Sequence, residues 1–563
     1  MARYHEKVLN RPMTVLFLVF SFLIFFMPWN SGERELNWME GYLAEQAVSL
    51  KWGPLPRVEA HGEAIPNAFP LFPMLSGALI HAGLSPETAL RLLSLLGLAG
   101  VAVLVFLVGR KFGGLAVAAP ACAMLLGVVL VIDKTMDGYG NWLFILTVLG
   151  AHLSWFYYAA IRGDWNRAWL AGWCGCALGF AQAGGLAPVF FLGPLIFMRR
   201  PLGIFRRLKC PGFALGCGIF LLTVILWYLP YHFEGVTPAA VYPRARVLDG
   251  WDYGRHLLFF PWELAWRLLP WSLLAWAPFC VALQALDRVP MFSRFLRTLF
   301  FVDFFLLWLT PVDDVHDWMI LVPPLAVLVG INYEIVVRRY GGFFRKLCNI
   351  PVFLLPFVGM GLIFFFLLPP EWWESLWDWR QPLDFLERFG TAVFGIGVGV
   401  LLMLTAAMLL RSREKPPLWA YILILTWVPL FCCHAVMFPY RNQAAERREK
   451  GEVLLRALEQ DGVKPGATVY KYDFNDLFAE GIYMKMRLRK INSLEALPKS
   501  EVPVVYLIAP EFPQLPERNW RGLLAAPLEN RHRKLYLWKG EWQGKSGRFR
   551  RFYAGGGKGN KYE

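Results

Sequence analysis

Long apolar runs separated by short polar stretches dominate residues 1–437. A helix of about 20 apolar residues is long enough to cross the hydrocarbon core of a bilayer. The runs therefore predict about 13 transmembrane helices. They lie near 12–30, 89–109, 114–132, 140–161, 167–183, 185–198, 211–230, 264–286, 298–311, 318–337, 348–369, 390–410 and 416–437. We interpret the first run as a membrane helix and not as a signal peptide, because no small-residue cleavage site follows it.

Two of these runs admit a second interpretation, and a third departs from a typical membrane span. Only Gly184 separates 167–183 from 185–198, so this pair forms either a tight hairpin or one broken pair of half-helices. The run at 298–311 is short and carries Asp303, an acid that is costly inside a bilayer.

The composition also indicates a polytopic membrane protein. Of the 563 residues, 56% are hydrophobic and 18% are charged, and the mean hydropathy is +0.41. Soluble domains are typically about 45–50% apolar and about 25% charged, and disordered chains are much less hydrophobic. Both classes are therefore excluded for the bulk of the chain. The nine cysteines lie in or beside apolar runs without metal-type spacing, which excludes a disulfide scaffold.

The charged residues indicate the orientation. If the N-terminus is cytoplasmic, the predicted inner loops are rich in Lys and Arg, notably at 199–209 and 338–346, whereas the outer loops are acidic. Cytoplasmic loops of membrane proteins carry such an excess of basic residues. The net charge of +15 is thus mostly a topology signal and requires no nucleic-acid partner.

From residue 438 the composition resembles that of a soluble domain. The pattern predicts a helix at 441–460 and strands at 467–472, 502–509 and 534–539. We therefore predict an all-α polytopic membrane domain over 1–437, a small α/β domain over 438–553 outside the cytoplasm, and a disordered tail over 554–563.

The first predicted outer loop, residues 31–88, carries candidate chemistry. Apolar residues recur at helical spacing through Leu36, Leu43 and Leu50, which predicts an amphipathic helix lying on the bilayer. A second apolar piece follows at 71–82. The acids of the first helix, Glu40 among them, either contribute to a site or simply face water.

Two further outer segments place ionisable groups beside the membrane. Asp133 and Asp137 lie four residues apart, so one helical face can carry both; the alternative is a solvated turn in which Lys134 pairs with either acid. The segment 231–263 contains several arginines, which suit a phosphate because a guanidinium binds it through paired hydrogen bonds. Contact with lipid headgroups is the alternative.

An acidic cluster opens the run at 318–337. Asp313, Asp314, His316 and Asp317 either bind a divalent cation or form a polar loop. The sequence has no nucleotide-binding glycine loop. A transporter would place ionisable groups near the bilayer midplane and often show internal repeats, but only Asp303 is a mid-span acid and the two halves of the chain are not alike. A structural envelope subunit stays open.

The layout resembles the multispanning (GT-C type) glycosyltransferases that use polyprenyl-phosphate sugars, such as the bacterial aminoarabinose transferase of lipid A and the protein O-mannosyltransferases. The first loop of this family carries an Asp-Glu pair followed by Tyr and Ala. Residues 38–45 match that stretch, with Met39 in place of the Asp and Glu40 on the Glu. Asn67 and Ala68 replace an acid and a lysine that the family uses near the donor phosphate, and Asp137 matches an acid after the third span.

The resemblance implies transfer of a sugar from a polyprenyl-phosphate donor to a lipid, glycan or protein acceptor at the outer face of a bacterial inner membrane, with a periplasmic C-terminal domain. No cofactor is expected, although a divalent cation stays open. An inactive relative and a lipid or sugar transporter are the alternatives. The expected site residues are Glu40 and Asp137 for catalysis, Arg244, Arg246, Arg255 and His256 for the donor phosphate, and Tyr42, Asp133 and Asn67 for the substrate.

Reporter fusions test the predicted topology. A periplasm-active reporter fused after Arg441 should be active and one fused after Arg207 should be silent, because the basic loops stay inside. Activity at both positions, or at neither, would contradict the arrangement with 13 spans.

Overall fold

The computed structural model describes most of the chain. The described residues are 11–26, 34–53, 55–65, 68–198, 204–236, 246–369, 385–411, 416–443, 446–472, 474, 476–498, 503–524, 526–530 and 533–542. The predicted disordered tail at 554–563 lies outside them. The chain divides into two compact units, one formed by Met1–Glu59 and Ala64–Ala445, the other by Ala60–Glu63 and Glu446–Glu563.

The first unit is helical. Its helices are α1 (Arg11–Phe26), α2 (Trp38–Val48), α3 (Leu71–His81), α4 (Pro86–Gly113), α5 (Leu115–Gly127), α6 (Val129–Lys134), α7 (Asn141–Phe156), α8 (Trp165–Ala183), α9 (Leu186–Phe197), α10 (Pro211–His232), α11 (Gly250–Arg267), α12 (Ser272–Ala275), α13 (Val281–Gln284), α14 (Pro290–Leu309), α15 (Val322–Leu367), α16 (Phe385–Arg411) and α17 (Leu418–Gln443). The predicted surface helix and the second apolar piece of the first loop are thus α2 and α3.

The apolar helices suit a multi-pass membrane protein. Within the described residues, five helical stretches are long and apolar enough to cross a membrane by length and composition: Pro86–Gly113, Asn141–Arg162, Pro211–His232, Asp317–Leu367 and Phe389–Arg411. Several shorter apolar helices, such as α1 and α9, accompany them. The predicted number of about 13 spans is not confirmed.

Three predicted spans differ from the observed helices. The run at 264–286 is not one helix: α11 ends at Arg267, and only short helical pieces follow. Pro270 and Pro278 interrupt this run, and proline lacks the N–H that a continuous helix needs. By contrast, the runs at 318–337 and 348–369 belong largely to the single helix α15, because the basic stretch between them is itself helical.

Close contacts between helices depend on small residues. At Gly330 of α15, a Cβ atom would lie 2.5 Å from the carbonyl oxygen of Val117 in α5. At Gly359 of the same helix, it would lie 2.6 Å from the carbonyl oxygen of Gly399 in α16. Real Cβ atoms essentially never come this close to another atom, so the close approach of α15 to each neighbour at these two points requires a residue without a side chain.

The second unit is an α/β domain. Its helices are α18 (Glu446–Gln460) and α19 (Phe478–Met484), and its main strands are β5 (Thr468–Tyr472), β6 (Arg487–Ile491), β7 (Val504–Ala509), β8 (Arg518–Gly522), β9 (Leu528–Asn530) and β10 (Arg533–Trp542). The sheet order is β6-β5-β7-β10-β8, with β5 parallel to β6 and β7, and β10 antiparallel to β7 and β8. The predicted helix at 441–460 starts later, at Glu446.

Residues 60–63 of the first loop belong to this second unit, which the sequence did not predict. They lie within and between two short strands that pair with each other, β1 (Glu59–Ala60) and β2 (Glu63–Ala64). The His61 ring stacks on the Phe478 ring with centroids 4.6 Å apart. The backbone carbonyl of His61 accepts a hydrogen bond from the backbone N–H of Lys490. Burial, aided by the charges of Lys471 and Lys490, lowers the pKa of His61 to about 2. The ring is therefore neutral at physiological pH.

The contact at Gly330 can be tested against a matched glycine. We expect Gly330→Ala to lower the midpoint of thermal unfolding in detergent, because overpacking typically costs about 1–3 kcal/mol. Gly342 lies in the same helix with nothing within 4 Å of an added Cβ, so Gly342→Ala should be neutral or slightly stabilising. Equal behaviour of the two variants would show that the helices do not meet at Gly330.

Candidate active site

The first turn of α2 holds Glu40 in place. Asn37 caps this helix: its side-chain oxygen accepts from the Glu40 N–H at 2.8 Å, and the Glu40 carboxylate accepts from the Asn37 N–H at 3.0 Å. Such a reciprocal pair satisfies two backbone donors that the helix would otherwise leave unpaired. The direction of the Glu40 side chain is therefore set by the local fold.

Glu40 is fully buried and its carboxylate accepts several hydrogen bonds. Oε1 accepts from Arg34 and Arg91 at 3.1 Å each and from the Gly138 N–H at 2.8 Å, and Oε2 accepts from Arg91 at 3.2 Å. Burial by itself would raise its pKa, but the guanidinium groups of Arg91 and Arg34 outweigh burial and lower the pKa to about 2. A carboxylate this stable as an anion is a weak base.

Arg91 connects α4 to the start of the first loop. It is completely buried, and besides Glu40 it donates to the carbonyl oxygens of Arg34 and Glu35 at 3.0 and 3.1 Å. A buried guanidinium is stable only when its charge and its N–H groups are matched in this way. Arg91 thereby fixes the backbone from which Arg34 extends.

The same network contains Asp137. Arg34 Nη2 lies 3.1 Å from Glu40 Oε1 and 3.5 Å from Asp137 Oδ1, and it donates to the Met136 carbonyl at 2.6 Å. Asn37 also donates to Asp137, at 3.2 Å. The two acids that the sequence singled out are thus only a few ångströms apart. They differ in access, because the Asp137 side chain is 22% exposed and that of Glu40 is 0% exposed.

His316 links Asp137 to the acidic cluster. Its Nε2 lies 3.1 Å from Asp137 Oδ2, its Nδ1 lies 2.9 Å from Asp314 Oδ1, and its ring packs against Tyr139 with centroids 4.4 Å apart. Burial lowers the pKa of His316, but hydrogen bonds and charge attraction from Asp137 and Asp314 outweigh it, so the pKa lies above its usual value. The shift favours the protonated form of His316, whose two ring nitrogens each face a carboxylate oxygen.

The four arginine and histidine candidates for the phosphate site have different outcomes. Arg244 lies outside the described residues. Arg246 lies in strand β3 (Arg246–Val247), which pairs with β4 (Val312–Asp313), so its backbone runs beside the segment that leads to His316. Arg255 is exposed on α11, with Asp252 at 3.9 Å. His256 is buried and its Nε2 lies 3.3 Å from the Leu307 carbonyl, which suits a structural contact.

The three residues predicted to bind the substrate also have different outcomes. Tyr42 stacks on Trp38 within α2, with centroids 5.9 Å apart. Asn67 lies outside the described residues. Its neighbour Ala68 is fully buried, and its carbonyl accepts from Trp227 at 3.1 Å. The position at which the family places a lysine is thus enclosed against an aromatic side chain.

Asp133, the third candidate, lines a large apolar cavity of about 710 Å³. The walls come from α6, from the chain at 269–274, from α15 at 344–351 and from α17 at 422–430. Met136 belongs to the same wall, although its carbonyl binds Arg34 of the carboxylate network. The short stretch 133–138 therefore adjoins the apolar cavity and also supplies Asp137 and the Gly138 N–H to the polar network.

Two cations lie beside Asp133. Lys134 Nζ is 3.0 Å from Asp133 Oδ2, and Arg267 Nη1 is 3.6 Å from the same oxygen. Arg267 also donates to Glu263 at 2.7 Å and lies over the Trp318 ring. Because Asp133 itself lines the cavity, Arg267 places its guanidinium close to the cavity wall.

Two acids of the 313–317 cluster, Asp314 and Asp317, bind partners inside the protein. Asp314 contacts His316, and Asp317 accepts from Asn141 at 2.9 Å. Across the described part of the chain, no group of three or more His, Cys, Asp or Glu side chains is arranged to hold a metal ion. A divalent cation at this cluster stays a prediction of the sequence.

Sequence reasoning missed four contributors to the network: Arg34, Asn37, Arg91 and Gly138. Arg91 carried a usable signal, since an ionisable residue at the start of an apolar run is expensive and is often functional. Asn37 also carried one, because Asn three residues before Glu at the start of a helix is a capping pattern. Nothing in the local sequence marks the Gly138 N–H.

The comparisons identify the fold. No protein-family model and no curated protein matches the sequence. The structure is similar to the crystal structure of ArnT from Cupriavidus metallidurans bound to undecaprenyl phosphate, with a TM-score of 0.65, 15% identity, and coverage of 94% of this chain and 98% of that one. The apo state of the same protein gives a TM-score of 0.64 at 14% identity, with the same coverage. The fold that the sequence resemblance implied is thus confirmed.

The ion pair at Glu40 predicts a pH dependence of stability. Glu40→Gln should destabilise the folded protein by roughly 3–5 kcal/mol at pH 7, because it leaves buried guanidinium groups without their anion. The folded pKa is depressed, so this advantage of the wild type is complete above about pH 4.5 and shrinks as the pH falls toward 2. Unfolding in detergent at several pH values measures it. Asp133→Asn, at a more exposed carboxylate, is the control with a small effect expected.

Proposed function

We propose that this protein is a membrane glycosyltransferase that takes a sugar from a polyprenyl-phosphate donor at the outer face of a bacterial inner membrane. One observation carries the proposal: residues 133–138 adjoin both a large apolar cavity and a partly exposed carboxylate network. A donor with a long hydrocarbon chain and a polar reactive end requires this combination. An enzyme facing outward has no nucleotide sugar available, which favours a lipid-linked one.

The cavity is the proposed site of the polyprenyl chain. Its described lining is almost entirely aliphatic and aromatic, with Asp133 as the charged exception. Burial of apolar chain in such a cavity is favourable by about 25 cal/mol per Å². The similarity in fold to ArnT, whose crystal structure contains undecaprenyl phosphate, supports this assignment.

Arg267 and Lys134 are the proposed phosphate ligands. The family's lysine position is occupied by the buried Ala68, and Arg255 is not among the described residues that line the cavity. Arg267, in contrast, lies beside Asp133 at the cavity wall, where its guanidinium also pairs with Glu263. A guanidinium stays protonated when partly desolvated and binds phosphate through two nitrogens. Arg244 and Arg246 stay as additional candidates.

Asp137 is the proposed general base. An acceptor hydroxyl attacks the anomeric carbon and forms the new glycosidic bond, while the bond from that carbon to the phosphate oxygen breaks and its electron pair leaves with the phosphate. The hydroxyl proton passes to Asp137, which is the more exposed of the two acids. His316, held by Asp314, orients Asp137. Glu40 acts as a positioning residue for Arg34, and inversion at the anomeric carbon is expected.

An inactive relative that still binds the lipid is the second candidate. Met39 stands where the family has an acid, and Glu40 is committed to internal hydrogen bonds. This candidate shares the cavity and the phosphate ligands with the transferase. It differs only in turnover, so the test must measure binding and transfer separately.

Paired variants separate the two functions. Asp137→Asn should retain polyprenyl phosphate in the purified protein but reduce release of polyprenyl phosphate from a lipid-linked sugar by at least about 100-fold, as loss of a general base does. Arg267→Gln should weaken lipid binding about 10-fold or more, since a hydrogen bond to a charged group is lost.

Arg255→Gln is the matched control for the binding measurement, because Arg255 is an exposed arginine of the same helix. Lipid loss in this variant but not in Arg267→Gln would contradict the phosphate site. No turnover in the wild type with native membranes as the acceptor source, together with intact lipid binding, would favour the inactive relative.

A further inference from the structure

Besides the cavity beside Asp133, the protein has a groove that is lined mainly by residues of α14. It has a volume of about 740 Å³. Its apolar wall is formed by α14 side chains such as Phe301, Phe305 and Leu309, whereas Arg294, Arg297 and Gln284 lie at one end. We propose that this α14 groove binds an acidic phospholipid, with the acyl chain along the apolar wall and the phosphate at the arginines.

The groove is separate from the site of sugar transfer. The C-terminal end of α14 leads into the segment that carries His316, whereas the arginines lie near its N-terminal end. Arg294 and Leu309 are separated along the helix axis by roughly 22 Å. None of the residues that line the groove lines the cavity beside Asp133. The inference therefore does not depend on the proposed transferase activity.

The positive charge at the arginine end of the groove favours binding of an anion. Arg294 is exposed and lies close enough to Arg297 for the two charges to repel. Arg297 is partly engaged, since its Nη1 donates to the Pro278 carbonyl and lies 3.9 Å from Asp287. Among the described residues that line the groove, none is Asp or Glu. An incoming phosphate would relieve the repulsion and accept hydrogen bonds from the Arg294 guanidinium.

The apolar wall selects an amphiphile over a free anion. The side chains of Phe301, Phe305 and Leu309 are 43, 47 and 57% exposed within the protein, so they can contact an acyl chain over most of the length of α14. An acidic headgroup brings net negative charge to the arginine end. A zwitterionic headgroup also brings a cation, which Arg294 and Arg297 would repel. Net headgroup charge, together with the acyl chain, therefore decides which lipid binds.

Native mass spectrometry of the full-length protein tests this site. The probes are phosphatidylglycerol and phosphatidylcholine with identical acyl chains, titrated into the detergent-solubilised protein. The variants are Arg294→Gln, Arg294→Lys and the control Arg110→Gln, which removes an exposed arginine near the end of α4. Because Arg294 is exposed, its replacement should leave the thermal unfolding midpoint unchanged, which confirms that the variant folds.

We expect the wild type to bind phosphatidylglycerol more tightly than phosphatidylcholine. Arg294→Gln should weaken phosphatidylglycerol binding about fivefold, Arg294→Lys should retain most of it, and Arg110→Gln should not change it. Three results would overturn the proposal: equal binding of both lipids by the wild type, unchanged binding by Arg294→Gln, or an equal loss in Arg110→Gln, which would indicate only general attraction to the protein surface.

Discussion

The buried ion pair between Glu40 and Arg91 is the interaction on which the candidate site depends. It joins α2 of the first loop to α4, and its carboxylate also binds Arg34 and the Gly138 N–H. Two charges removed from water are stable only with such complete hydrogen bonding. The pair therefore requires that the start of the first loop and the loop after α6 come together, and this brings Asp137 to Arg34.

The division between an apolar and a polar region follows from that arrangement. The chain at 133–138 has Asp133 and Met136 on the cavity and Asp137 in the hydrogen-bond network. The proposed lipid-linked donor would thus keep its hydrocarbon chain in an apolar environment while its sugar meets a carboxylate. Glu40 and Asp137 look equivalent in the sequence, but the fold gives them different surroundings: Glu40 is buried against two guanidinium groups, whereas Asp137 is partly exposed.

The parts of the fold that depend on local pattern could be predicted from the sequence. Apolar runs located most helices of the first unit, and the strands at 467–472, 502–509 and 534–539 appear with small shifts as β5, β7 and β10. What could not be predicted depends on distant partners. Arg91 meets Glu40 across 51 positions of sequence, and residues 60–63 join a domain formed by residues beyond 446. Such contacts leave no periodic pattern along the chain.

The candidate site likewise depends on contacts between distant residues, which the sequence does not reveal. The sequence singled out Asp137 and predicted that the arginines of 231–263 bind a phosphate. It did not single out Arg267, because Arg267 and Asp133 are far apart in sequence and come together only in the folded chain. A structure of the full-length protein with bound polyprenyl phosphate would locate the phosphate and the lipid chain. We expect the lipid chain in the cavity beside Met136 and the phosphate in contact with Arg267, on the side of Asp137. A phosphate bound away from Arg267, or a lipid chain outside this cavity, would contradict the proposed donor site.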